Sequence, residues 1–249
     1  MYFEERGDRT APAIVFIHGG GVGGWMWEKQ LEYFSAYHCL IPDLPEHGKS
    51  VNEGHISIKE SACRIAELIE KHASTGRADV VGHSLGAKVL VELLGKRPEL
   101  VKHAVVASAL YRPVPLMMLT HKMSVYKLTV KMLKSGWFLN RTVKQFRFPG
   151  RDLEAKCAGD FRGQTAESLY RVYDELYRGI VLPDGLGGAD VPTLAVAGEK
   201  EFKAMKASVD DIVHAMPNAK GLIIKNGLHT YPWAMHREFN RIIDEWINR

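Results

Sequence analysis

Cysteine is scarce in this chain of 249 residues: Cys39, Cys63 and Cys157 stand far apart, with no C-x-x-C pair and an odd total. That excludes a disulfide framework and a thiolate zinc site, and it favours a reducing compartment, so the expected location is cytoplasmic. No apolar run approaches the ~20 residues that cross a bilayer as a helix, and Met1 to Thr10 carries charges of both signs without the apolar core of a secretion signal. Internal repeats and low-complexity tracts are also missing. Histidine is not scarce, at eleven residues, yet no pair has metal-ligand spacing backed by cysteine or carboxylate. No metal and no other cofactor is therefore expected. The most local absence is of acid. Between Tyr111 and Arg151 there is none, against nine basic residues (Arg112, Lys122, Lys127, Lys131, Lys134, Arg141, Lys144, Arg147, Arg151). Since the whole chain carries a formal +4, the remainder carries about −5 and the basic character belongs to this segment. No nucleic-acid-binding motif accompanies it, and nucleic acid is not an expected partner.

What is present is the composition of one sizeable folded core, 46% hydrophobic and 25% charged. Short apolar runs at Tyr2 to Glu5, Ala13 to Ile17, His38 to Pro42, Asp79 to Val81, Lys102 to Ala109, Val191 to Ala197 and Gly221 to Lys225 read as strands. Between them lie helix-spaced segments at Trp25 to Phe34, Ser57 to His72, Leu85 to Leu94, Phe202 to Met216 and Pro232 to Asn248. That alternation predicts an α/β fold, a mostly parallel central sheet of about 7–8 strands flanked by helices. The rhythm breaks from Tyr111 to Gly188, where no convincing strand occurs. The division expected is a core of residues 1–110 and 189–249 with a helical cap, or lid, of residues 111–188. In the cap, Lys127, Lys131 and Lys134 share one helical face, while Val125, Leu128, Met132 and Trp137 supply apolar surface. The bland expectation is a solvated outer face whose apolar side lines the site. The sharper one is contact with an anionic substrate or an anionic membrane surface.

Gly82-His83-Ser84-Leu85-Gly86 joins an apolar run to a helix, and G-x-S-x-G between strand and helix reads as a nucleophile elbow. Its glycines let strand and helix approach, and Ser84 is presented at the positive end of a helix. A serine needs a base, and the base needs a carboxylate to hold it. His229 follows the last strand and Glu201 follows the one before, so the order is serine, acid, histidine at one sheet edge. Glu199 is the competing acid. Oxyanion donors are expected at the backbone N–H groups of Leu85 and of Gly20, the latter in His18-Gly19-Gly20-Gly21. His18 itself is read as a loop-packing residue and a candidate substrate contact rather than a base. Met117, Met118 and Trp137 are candidate substrate contacts in the cap.

These pieces resemble the α/β-hydrolase fold family in its serine esterase and lipase-like branch. The resemblance rests on Phe16-Ile17-His18-Gly19, Asp43-Leu44-Pro45-Glu46-His47-Gly48-Lys49-Ser50, the elbow, Pro192 to Gly198 and His229. It implies about eight strands with the helical cap inserted after the sixth, and this chain joins the pattern at what is usually the second strand. Two residues depart from it. The triad acid is Glu201 where the family usually has Asp, and Glu46 stands where the loop motif commonly has glycine. A positive φ at Glu46 would cost on the order of 1 kcal/mol. The expected activity is hydrolysis of a small-molecule carboxylic ester through an acyl-enzyme on Ser84. A lyase or carbon–carbon hydrolase on the same triad and a non-catalytic ligand receptor of the same fold are the alternatives. Thr230, after His229, disfavours the hydroxynitrile lyases, which typically carry lysine there.

Overall fold

The computed structural model describes every residue except Gly179. Seven strands form one sheet: β1 (Phe3–Arg6), β2 (Ala13–Ile17), β3 (His38–Pro42), β4 (Ala78–His83), β5 (Val101–Ala107), β6 (Thr193–Gly198) and β7 (Ala219–Ile224). Their spatial order is β1-β3-β2-β4-β5-β6-β7, with β1 antiparallel to β3 at one edge and every other pair parallel. Strands β2, β3, β4 and β6 are buried throughout. This explains their continuous apolar runs, since a parallel strand covered on both faces has no polar side to alternate with.

The helices are α1 (Glu28–Tyr33), α2 (Ile58–His72), α3 (Leu85–Lys96), α4 (Pro115–Thr120), α5 (Met123–Leu133), α6 (Gly136–Gln145), α7 (Arg151–Gly163), α8 (Ala166–Arg178), α9 (Lys203–Ala215), α10 (Tyr231–Ala234) and α11 (His236–Ile247). Successive β2 side chains take opposite sides of the sheet. Val15 and Ile17 join the core beneath α2, α3 and α9, through Ile65, Leu90 and Ile212. Ile14 and Phe16 join a second core with Trp27, Phe239 and Ile243. A 3-10 turn leads into α1, and Ser57 caps α2 by accepting from the Glu60 N–H.

Among the described residues no strand lies between β5 and β6, only helices α4 to α8. In the chain's own count this insertion follows the fifth strand, which is the sixth when the antiparallel edge strand β1 is counted as the second, as expected. The closing helix is two: Met235, at φ −119 and ψ 36, leaves the helical region between α10 and α11. No described helix is long and apolar enough to cross a membrane.

The chain runs from β2 outward to β3 and then back across β2 to β4, so the direction of winding reverses between β2 and β4. Open parallel sheets bind ligands in the crevice at such a reversal, outside the carboxyl ends of the strands. The loops that begin there are His18 to Gly21 and the turn at Ser84.

Candidate active site

Strand β4 ends at His83 and α3 begins at Leu85, leaving a single residue, Ser84, to reverse the chain. Its backbone sits at φ 53 and ψ −108, a region that residues with a Cβ enter only when the surroundings hold them there. Ser84 N donates to Ala107 O at 2.8 Å, and Ser84 O accepts from Lys88 N at 3.2 Å. Both flanking glycines are sterically required. A Cβ on Gly82 would stand 2.4 Å from Gly86 O, and one on Gly86 would stand 2.3 Å from Ile17 O. Strand, helix and the end of β2 thus pass backbone against backbone.

That contact sets the glycine loop beside the start of α3. A Cβ on Gly20 would meet the Leu85 side chain at 3.9 Å. Among the described residues neither the Gly20 nor the Leu85 backbone N–H donates a hydrogen bond. Two free donors beside a serine suit an oxygen that gains negative charge.

The loops after β6 and β7 also press together. A Cβ on Gly198 would stand 2.4 Å from Gly227 O, which brings residue 201 under residue 229. Glu201 Oε1 lies 2.5 Å from His229 Nδ1, the carboxylate being 1% exposed and the imidazole 40%. Glu201 Oε2 accepts from Gly198 N at 2.6 Å and from Ser108 Oγ at 3.0 Å, and Ser108 Oγ lies 3.1 Å from the buried Tyr231 hydroxyl. The carboxylate is therefore satisfied on both oxygens, and the extra methylene of glutamate is taken up inside a closed polar cluster. With Nδ1–H directed at Glu201, the imidazole keeps its Nε2 lone pair for a proton. Glu199 is exposed and accepts from Asn226 N at 2.8 Å, so it braces the β7 loop instead.

His83 ties this histidine loop to the elbow. Its Nε2 donates to His229 O at 3.0 Å and its ring packs on His229 with centroids 4.7 Å apart. Complete burial pushes the His83 pKa well below the ordinary value, so the ring is neutral. Ser84 is thus one residue from a direct contact of His229, although among the described residues no hydrogen bond joins Ser84 Oγ to the imidazole.

His18 does not meet the expectation of a substrate contact. It is fully buried, its Nδ1 donates to Gly19 O at 2.7 Å and its Nε2 accepts from Leu44 N at 2.9 Å, which leaves no nitrogen for a ligand. His47 behaves alike, donating from Nδ1 to Pro45 O at 2.9 Å and accepting at Nε2 from Gly21 N at 3.0 Å. The two rings, 5.0 Å apart, pin the glycine loop to the loop after β3. Burial lowers the pKa of each to about 4. As pH falls through 6.5 the unfolded chain takes up these protons while the folded one does not. Stability is therefore complete above that pH and declines toward pH 4, by up to about 3 kcal/mol per ring. Urea unfolding at about pH 7 and about pH 4.5 should show a clear drop in midpoint, and equal midpoints would contradict neutral burial of the pair.

Glu46 does adopt a positive φ, 65°. Its carboxylate receives the Arg171 guanidinium, including Nε at 2.8 Å, and the Ile56 N–H at 3.0 Å, which offsets the backbone cost. Burial alone would raise the Glu46 pKa, but the Arg171 guanidinium and the Ile56 N–H together outweigh it and hold the carboxyl below its ordinary value. Arg171 belongs to α8, and two further carboxylates fasten the insertion to the rest of the chain. Asp160 of α7 accepts from Gly23 N at 3.0 Å and Trp25 Nε1 at 2.7 Å, and Glu175 of α8 accepts from Ile58 N at 2.7 Å. Val172 of α8 overlies the glycine loop, 2.9 Å from where a Gly20 Cβ would be. A cavity of about 520 Å³ opens beside that loop, bordered by Gly21, Glu46, His55, Gln164 and Arg171.

The cap residues expected near substrate are elsewhere. Trp137 is 72% exposed, Met118 is exposed, and α4, which carries Met117 and Met118, has no buried residue. The inner side of the insertion is filled by α7 and α8 through Phe161 and Val172, so α4 and the start of α6 face outward. Val125, Leu128 and Met132 of α5 are likewise exposed rather than turned to the site, because Tyr126 and Leu133 supply its buried side. The sequence reading misses Ser108, Tyr231 and His83. Each lies at a strand end or within two residues of the candidate base in sequence, the one local signal available.

A family model described as "Alpha/beta hydrolase family" matches residues 14–242. The (E)-2-((N-methylformamido)methylene)succinate hydrolase of Acinetobacter baylyi is 24% identical over 254 residues, covering 99% of this chain and 93% of the relative. Among solved structures, the enol-lactonase from Burkholderia xenovorans matches with a TM-score of 0.77 at 18% identity, over 100% of this chain and 96% of that one. A serine hydrolase from Cycloclasticus zankles matches with a TM-score of 0.78 at 20% identity, over 99% and 93%. At such identities the structural likeness speaks for the fold alone.

Proposed function

The chain belongs to the alpha/beta hydrolase family, and from that premise we propose that it is a serine hydrolase cleaving a small-molecule carboxylic ester through an acyl-enzyme. The observation that carries the reading is the buried Glu201 carboxylate against His229 Nδ1, at the sheet edge that also presents Ser84 on a strained turn. In this reading His229 Nε2 takes the Ser84 proton as Oγ attacks the ester carbonyl carbon. The carbonyl electron pair moves onto oxygen, where the Gly20 and Leu85 N–H groups receive it. Collapse breaks the bond to the alkoxide, which leaves with the proton from His229. A water then enters and gives one proton to His229, and its hydroxide attacks the acyl carbon. The released acid departs as Ser84 recovers its proton. His83 holds the His229 loop in place, and the α4 to α8 insertion serves as a cap, with Val172 closing over the glycine loop.

A fluorophosphonate probe tests the reading directly. Intact mass and peptide mapping should show one probe per chain, on Ser84, together with loss of p-nitrophenyl ester turnover in the same samples. Ester turnover that survives complete labelling, or labelling confined to other serines, would overturn it. A panel of p-nitrophenyl esters from acetate to palmitate sets the acyl length preferred.

A further inference from the structure

The first half of the cap presents to solvent a surface that the hydrolase reading does not use. Leu116 and Leu119 of α4 are 70% and 69% exposed, and Val125, Leu128, Met132 and Trp137 are exposed beside them in sequence. On α5 the residues Val125, Leu128 and Met132 recur at i, i+3 and i+7, next to a stripe of Lys127, Lys131 and Lys134 on the same outward half. The buried side of that helix is Tyr126 and Leu133. On α6 the Arg141 guanidinium lies 5.9 Å from the centre of the Trp137 ring. Of the nine basic residues between Tyr111 and Arg151, only Arg112 has a carboxylate partner among the described residues, Asp211.

We propose that this face, α4, α5 and the start of α6, is a docking surface for a bilayer containing anionic lipid. Unneutralised cations interleaved with exposed leucine, methionine and tryptophan are the composition of a segment that lies in the headgroup boundary. The lysines meet lipid charge and the apolar residues enter the acyl region. A second copy of the chain would bring like charges together. A nucleic acid or an acidic protein would use the cations but leave Leu116 and Leu119 without purpose. Docking goes beyond the hydrolase reading, and the binding measurement requires no turnover.

The test is co-sedimentation with vesicles of phosphatidylcholine, with and without about 30 mol % phosphatidylglycerol. The chain should pellet with the anionic vesicles, stay in the supernatant with the neutral ones, and be released by ~0.5 M salt. The triple variant Lys127→Gln, Lys131→Gln, Lys134→Gln should partition about 100-fold more weakly, at about five-fold per lysine. The pair Leu116→Ser, Leu119→Ser should lose at least about ten-fold, while both variants keep the parent's thermal unfolding and turnover of p-nitrophenyl acetate. No binding to anionic vesicles, or equal binding to neutral ones, overturns the proposal. So does a leucine pair that binds like the parent, since that assigns the surface to a purely electrostatic partner.

Discussion

Replacing Ser84 with alanine is expected to lower kcat/KM for p-nitrophenyl esters by about 10⁴ or more, the largest effect anticipated from any single substitution. The reason is chemical. Alanine keeps the Cβ, the fold of the turn and the Gly20 and Leu85 donors, and removes only the oxygen that would attack. What remains is binding plus the oxyanion donors acting on water, and the other members of the set contribute little once the nucleophile is gone. Alanine occupies φ 53 no more comfortably than serine, so thermal unfolding should be unchanged, which separates a chemical loss from a folding loss. Alanine at 84 with undiminished turnover would place the nucleophile elsewhere and withdraw the acyl-enzyme altogether.

The next largest effect is expected at Glu201. In Glu201→Gln the amide no longer stabilises a protonated His229 and can present an N–H to Nδ1, favouring the wrong tautomer. A fall in kcat of about 10³ to 10⁴ is expected, with KM little changed. Glu201→Asp keeps the charge but withdraws it by about 1.5 Å, one carbon–carbon bond. The contacts to His229 Nδ1, Gly198 N and Ser108 Oγ then cannot all be met, and a loss of about 10- to 100-fold is expected. Glu199→Gln, at the exposed brace, should stay within about two-fold of the parent. Steady-state kinetics on the three variants decide the matter, and a Glu201→Gln enzyme within about three-fold of the parent would remove Glu201 from its role in orienting the base.

Much of the fold is legible because sheet burial and helix periodicity write themselves into apolar spacing. The elbow is legible for a stricter reason. Gly82 and Gly86 stand where any Cβ would strike a carbonyl oxygen, so the sequence has no freedom there. The acid is harder. Glu199 and Glu201 lie in one short loop, and only the close passage of Gly198 and Gly227 decides which of them comes under His229. Ser108, Tyr231 and His83 join the site through contacts between strand ends distant in sequence, which leave no local pattern. On α5, periodicity separates a basic stripe from an apolar one, but Tyr126 and Leu133 fill a third side and turn both stripes outward. His18, at the end of a strand motif, is consumed by two backbone bonds that no spacing announces.

The left-handed backbone at residue 84 has a further consequence for how such a protein changes over generations. Glycine is the residue that would suit that turn best, so the serine is kept against a conformational preference of about 1 kcal/mol. If Ser84 is the nucleophile proposed above, a lineage released from that chemistry would gain stability by drifting to glycine there, and lose the nucleophile in the same step. In the proposed acyl-enzyme reading, stability and reactivity are thus opposed at one codon.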